Sequence, residues 1–226
     1  MSGPLNDGIV LCQPDNIKGC SICCGLFNFR DISSGFLTEF LQQGNEREKK
    51  FSDYNEYKDH SMIRDNFSHI CPFQGFLTEG KPGCLIHPLY SGADGRGRSL
   101  FASKICDEFF CPAHSILSGE EKLFLIKYAS DWYLYSVAIA DPESYSLIYN
   151  YVLQKFSEEI SRELFIYLVN TGLAAHAENI SAYEGSIFCY STPEYNINKK
   201  NFCIRYLNKS RDLVVSRIDE SALSVK

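Results

Sequence analysis

The residues best suited to chemistry in this sequence are its cysteines. Ten stand at positions 12, 20, 23, 24, 71, 84, 106, 111, 189 and 203, and eight of them fall within the first 111 residues. Cys20-Ser21-Ile22-Cys23-Cys24 is a dense source of thiolate. A gap of two residues lets Cys20 and Cys23 turn onto one metal ion, while Cys24 points elsewhere, toward a second metal, a bridge or a redox role. Cys71 and Cys84 bracket a turn-rich segment. Cys106 and Cys111 are followed by His114, and two Cys-x-x-His pairs appear, Cys84–His87 and Cys111–His114. Soft thiolate sets select zinc, copper(I) or iron–sulfur species, whereas calcium and magnesium want oxygen ligands. The candidate ligands are therefore Cys20, Cys23, Cys24, Cys71, Cys84, Cys106, Cys111, His87 and His114, with Cys12 left open. Cys189 and Cys203, in apolar strand-like runs, read as buried small hydrophobes. His60, His69 and His176 read as ordinary residues.

Two pairings are open at the first cluster. Cys20 and Cys24, four residues apart, share one side if a helical turn forms. That arrangement gives a first shell of Cys20, Cys24, Cys71 and Cys84, with Cys23 directed toward Cys106, Cys111 or His114 in a second site. A tight loop instead pairs Cys20 with Cys23.

Cys20-x-x-Cys23-Cys24, then Cys71-Pro72-Phe73, then Cys84-Leu85-Ile86-His87-Pro88, then Cys106 and Cys111 together resemble the zinc- or iron-chelating CxxCxxCC family of bacterial proteins. The resemblance covers about residues 12–114. It implies metal chelation and carries no further biochemical role. The sequence departs from the family pattern in three places. Cys12 lies eight residues before Cys20 rather than a few, His87 stands where tyrosine is common, and the glycine-rich stretch 92–98 replaces a proline-rich one.

Composition bounds the rest. The chain has 226 residues, a net charge of -6, 45% hydrophobic and 22% charged residues, which describes a globular protein able to build its own core. With no run of 18 apolar residues, no membrane span is expected, and the first residues lack a basic segment followed by an apolar one. A cytoplasmic, reducing location follows, in which metal ligation explains the cysteines better than disulfides do. The expected partner is a metal ion, zinc or iron, including an iron–sulfur cluster. No membrane partner is expected, and the sequence leaves any protein partner unknown. Nucleic acid is allowed but not favoured on an acidic chain, although residues 199–226 carry seven basic and three acidic side chains. Gly92-x-x-Gly95-Arg96-Gly97-Arg98 reads as a plain loop first and an anion-binding loop second.

These ligands need elements to hold them. The sequence predicts an α+β fold, mostly helical, in which an irregular cysteine-rich metal-binding segment packs against helices and short strands close the C-terminus. It reads as a single compact domain, 1–226, with a cysteine-rich part (1–116) and a helical part (117–226). Leu37, Phe40 and Leu41 predict a short helix ending near Gly44. Ser118 and Glu121 form a capping box ahead of an apolar run through Val137. Asp141-Pro142-Glu143 restarts the helix, with Tyr145, Ile148, Val152 and Phe156 as its stripe. A third helix runs from about Ser161 and pauses at Gly172. Ser186–Tyr190, Phe202–Leu207 and Leu213–Ile218 read as strands. Tyr128, Trp132, Tyr133 and Tyr135 read as core packing first and pocket lining second. Three functions remain: a metal-binding protein with structural or transferable metal, an iron–sulfur or metal-dependent enzyme, and a zinc-stapled nucleic-acid or protein interaction module.

Overall fold

The computed structural model describes residues 8–29, 31–50, 53, 56, 70–99, 106, 111–156, 160–181 and 205–225. Cys189, Cys203, His60, His69 and the strand expected at 186–190 lie outside the described residues. The fold is α+β and mostly helical, with one small antiparallel hairpin among the described residues.

The helices start where side chains can satisfy their first N–H groups. Ser33 Oγ accepts from Phe36 N–H and opens α1, Ser34–Glu48. Its buried face is Leu37, Leu41 and Gly44. Gly44 is not the end of the helix but its contact point, since a Cβ there would collide with the Gln74 carbonyl. That close approach seats α1 on the hairpin of β1, Gln74–Thr78, and β2, Lys81–Cys84. One residue further on, Asn45 brackets Phe76 in the manner of a neighbouring strand. Its Nδ2 donates to Phe76 O at 2.8 Å, and its Oδ1 accepts from Phe76 N–H at 2.7 Å. The hairpin register sets Gln74 opposite Cys84 and Phe76 opposite Pro82. Short helices follow at Pro88–Ser91 (α2) and Ala113–Ile116 (α3), and 3-10 turns form at Leu26–Asn28 and Arg96–Arg98.

The capping box at Ser118 and Glu121 is present with both of its hydrogen bonds and opens α4, Gly119–Tyr128. The apolar run beyond it is two helices rather than one. Asp131 Oδ1 accepts from Leu134 N–H at 2.8 Å and starts α5, Trp132–Ala140, while Asn170 Oδ1 takes the Ser130 N–H at 2.9 Å across the break. Asp141-Pro142 restarts the chain as α6, Pro142–Phe156. The next helix, α7, runs unbroken from Arg162 to Ser181. Gly172 does not interrupt it, because its role is clearance: a Cβ would press on Ile148 and Ile218.

The tail corrects the expected strands. Arg205–Ser224 is a helix, α8, lying along α7. Its buried residues Val214, Ile218 and Ala222 recur every four positions, a helical stripe that β-branched content disguised.

The main apolar core is shared between the two parts of the chain. Leu11, Cys20, Ile22, Phe27, Leu37 and Cys111 pack in one cluster with Tyr135, Ile139, Tyr145, Leu168 and Ile218. Aromatic side chains make the joints, as core packing required. Tyr133 donates to Ile32 O at 2.9 Å, Tyr135 to Leu11 O at 2.7 Å, and Trp132 meets Phe76 edge to face at 5.6 Å.

Candidate metal centre

The geometry of residues 20–25 decides which sulfurs meet. Cys24 N–H donates to Ser21 O and Gly25 N–H to Ile22 O, so the segment is a succession of tight turns and not an α-helix. The expectation that Cys20 and Cys24 share one side is therefore corrected. Cys20 enters the main core with Cys111. Cys24 enters a smaller cluster with Cys71, Phe73 and Ile86, against which Cys23, Cys84 and Cys106 pack. Cys106 and Cys111, close in sequence, thus part company.

The first group is Cys12, Cys20, Cys111 and His114. Cys20 and Cys111 pack in the main core, and each raises or is raised by its neighbouring thiols. Cys12, left open by the sequence, is placed here: its Sγ stands 3.8 Å from His114 Nε2, and its carbonyl accepts from Cys20 N–H at 3.1 Å. Four tetrahedral ligands on zinc, at ordinary zinc–sulfur and zinc–nitrogen lengths, are separated by about 3.6 Å for a sulfur–nitrogen pair. The observed spacing of Cys12 and His114 is close to that edge. Two side chains from the helical part fix the group. Tyr135 holds the Leu11 carbonyl next to Cys12, and Lys122 Nζ donates to His114 O at 2.8 Å. Burial pushes the Cys111 thiol up to about 12, and it pushes Cys12 and Cys20 in the same direction.

The second group is Cys23, Cys24 and Cys84, with Cys71 and Cys106 beside them. Cys23 and Cys84 pack close beside Cys24. Those two thiols, and then burial, raise its pKa. Cys23 and Cys84 are lowered, each first by Cys24. Arg96 adds a smaller pull on Cys84. Gln74, fully buried at 0% exposure, ties the main chain together, its Nε2 donating to Cys24 O at 2.9 Å and Cys71 O at 2.7 Å. Cys71 N–H also donates to Cys24 O at 2.9 Å. Ser99 Oγ lies 3.0 Å from Cys106 Sγ.

Main-chain N–H groups act on several of these thiols. The N–H groups of Ile22, Ile86 and Ala113 pull the Cys20, Cys84 and Cys111 thiols down, against burial. Donors aimed at sulfur favour the thiolate, the form that binds metal. The donor set fits a soft metal such as zinc or iron. Among the described residues no three His, Cys, Asp or Glu side chains are already arranged to hold a metal ion, so binding requires the sulfurs to close further and lose their protons.

His87 and Arg96 each make a local contact. His87 Nδ1 accepts from Leu89 N–H at 3.2 Å and caps α2, which leaves that nitrogen unavailable to a metal. Arg96 of the glycine-rich loop turns inward. It pairs with Asp94 at 2.7 Å, and its Nη1 donates to Cys106 O at 3.5 Å. Asn45, Gln74, Ser99 and Lys122 were missed in the sequence. The one visible signal was Gln74, a polar residue in the apolar run Cys71-Pro72-Phe73-Gln74-Gly75-Phe76-Leu77.

Comparison of the chain with family models, curated proteins and solved structures found no match. No helix among the described residues is long and apolar enough to cross a membrane.

Proposed function

We propose that this is a metal-binding protein that holds zinc or iron through its clustered cysteines, the metal being structural or kept for transfer. The observation that carries the reading is the gathering of thiols: Cys23, Cys24, Cys71, Cys84 and Cys106 pack in one small cluster, and the Cys12 Sγ stands 3.8 Å from His114 Nε2. A cysteine that only fills space needs no company of other thiols, whereas a soft metal ion is held by several together. The resemblance of residues 12–114 to the CxxCxxCC family supports the same reading, and a reducing, cytoplasmic setting suits thiols kept for metal. Metal analysis of the full chain, purified without chelator or a metal-binding tag, tests it. Zinc or iron near or above one ion per chain is expected, and less than about a tenth of an ion with titratable thiols contradicts it.

A second reading, an iron–sulfur or metal-dependent enzyme, is favoured by the number of thiols, which exceeds one tetrahedral set. Anaerobic purification separates the two. Broad visible absorption supports an iron–sulfur cluster, and a colourless protein with stoichiometric zinc supports the first reading.

A further inference from the structure

The loop after α2 is seated on the smaller thiol cluster. Gly95 N–H donates to Ile86 O at 3.0 Å, and a Cβ at Gly95 would press on the side chain of Ile86, a buried member of that cluster. From this anchor the 3-10 turn of Arg96–Arg98 closes, with Arg98 N–H on Gly95 O at 2.9 Å and Ser99 N–H on Arg96 O at 3.0 Å. Ser99 is thereby held at the end of the turn, buried, with its Oγ 3.0 Å from Cys106 Sγ. Arg96, paired with Asp94, also reaches the Cys106 carbonyl through Nη1 at 3.5 Å. One turn thus brings a hydroxyl to the sulfur of Cys106 and a cation to its main chain.

Cys106 is half-buried, whereas Cys24 and Cys71 of the cluster it packs on are buried. A small solute reaches a half-buried sulfur more readily than the thiols behind it. A serine hydroxyl at 3.0 Å donates to that sulfur as negative charge forms on it. Behind it, Cys24 and Cys71 are fixed side by side, Cys71 N–H donating to Cys24 O at 2.9 Å and Gln74 Nε2 to both carbonyls. An accessible thiol with a hydroxyl donor, backed by further thiols, meets the requirements of a redox-reactive cysteine with a resolving partner.

We propose that Cys106 is a site of reaction with hydroperoxides, with Ser99 as the hydroxyl donor to its sulfur, and that a thiol of the adjoining cluster resolves the product as a disulfide. In the first step the Cys106 sulfur takes one peroxide oxygen. The S–O bond forms as the O–O bond breaks, the sulfur is oxidised by two electrons, and the thiol proton passes to the departing oxygen, which leaves as water or an alcohol. In the second step a neighbouring thiol attacks the sulfenic sulfur. The S–S bond forms, the S–O bond breaks, and the hydroxyl leaves as water with that thiol's proton. This goes beyond metal holding and stands without it, although the disulfide withdraws two thiols from any soft metal ion.

Stoichiometric hydrogen peroxide added to the reduced full chain in the absence of oxygen tests the proposal, with thiol counting and peptide mapping by mass spectrometry. The expected product is a disulfide joining Cys106 to Cys23, Cys24, Cys71 or Cys84, with two thiols lost per peroxide consumed. A dimedone trap should capture the sulfenic acid on Cys106. Cys106→Ser should lose both products. Ser99→Ala, with an unchanged circular dichroism spectrum, should consume peroxide about 10-fold more slowly. A first disulfide or dimedone adduct that excludes Cys106 overturns the proposal, as does oxidation of Cys106 to sulfinic acid with no disulfide. Peroxide consumption by Ser99→Ala at the unmodified rate overturns the assignment of Ser99 as donor. If Cys106→Ser does not fold, the map of the unmodified chain decides alone. Metal content measured on the same preparation bears on the metal-binding reading and leaves this outcome untouched.

Discussion

Individual thiols here are held between two opposite demands. Burial favours the protonated form of Cys12, Cys20 and Cys111, while nearby main-chain N–H groups pull Cys20 and Cys111 toward the thiolate. In the metal-free protein burial wins, and Cys111 rises from an ordinary 9.0 to about 12. The unfolded chain therefore releases these protons first. The raised thiols contribute stability that is complete below pH 9 and is lost as pH climbs from 9 toward 12, with Tyr133, also raised to about 12, adding to the loss at its upper end. Denaturant melts across this range should show that decline in the metal-free form. The metal-loaded form, whose thiols have already lost their protons, should keep the thiol part of its stability. Equal alkaline decline in the two forms would argue against ligation by these sulfurs. Tyr135 acts one bond further out. Tyr135→Phe leaves the Leu11 carbonyl unsatisfied, which should cost about 1–2 kcal/mol in urea melts and weaken metal binding about 10-fold.

Elements position the sulfurs through contacts that tolerate little change. Gly44→Ala would force α1 off Gln74, the residue that ties Cys24 to Cys71, and should cost about 1–3 kcal/mol by thermal melt. An unchanged melting temperature would mean that α1 does not seat the hairpin. In the helical part Asp141 has two tasks. Its Oδ1 accepts from Ser144 N–H at 3.3 Å, and its Oδ2 meets His176 Nε2 at 3.1 Å, with both side chains almost wholly buried. Asp141→Ala removes a helix cap and the partner of a buried imidazole together, a loss of about 3 kcal/mol. Asp141→Asn, which can keep the cap, should lose less, and equal losses would remove the cap from the account. Such features were legible to different degrees. Ser118 with Glu121 and Asp141 with Pro142 announced their helices because caps are local chemistry. The break at residues 129–131 was hidden, because Asn170 supports it from another helix. The tail read as strands on composition, yet its four-residue stripe of Val214, Ile218 and Ala222 was present in the sequence.

Across the molecule, the cysteine-rich part and the helical part contribute to one apolar cluster, and Tyr133, Tyr135 and Lys122 carry hydrogen bonds from the second part into the first. The residue types of the candidate centre were readable from sequence, because thiol spacing is a chemical pattern. Their partition was not readable. It depends on the turns at 20–25 and on the hairpin register that sets Cys84 opposite Gln74, neither of which cysteine spacing encodes. The central claim is that metal is held by sulfur in this shared frame. X-ray absorption at the zinc or iron edge of the full chain, as purified, tests it most directly. The account predicts a nearest shell dominated by sulfur at about 2.3 Å. A nearest shell of nitrogen and oxygen alone, at about 2.0–2.1 Å, would contradict it.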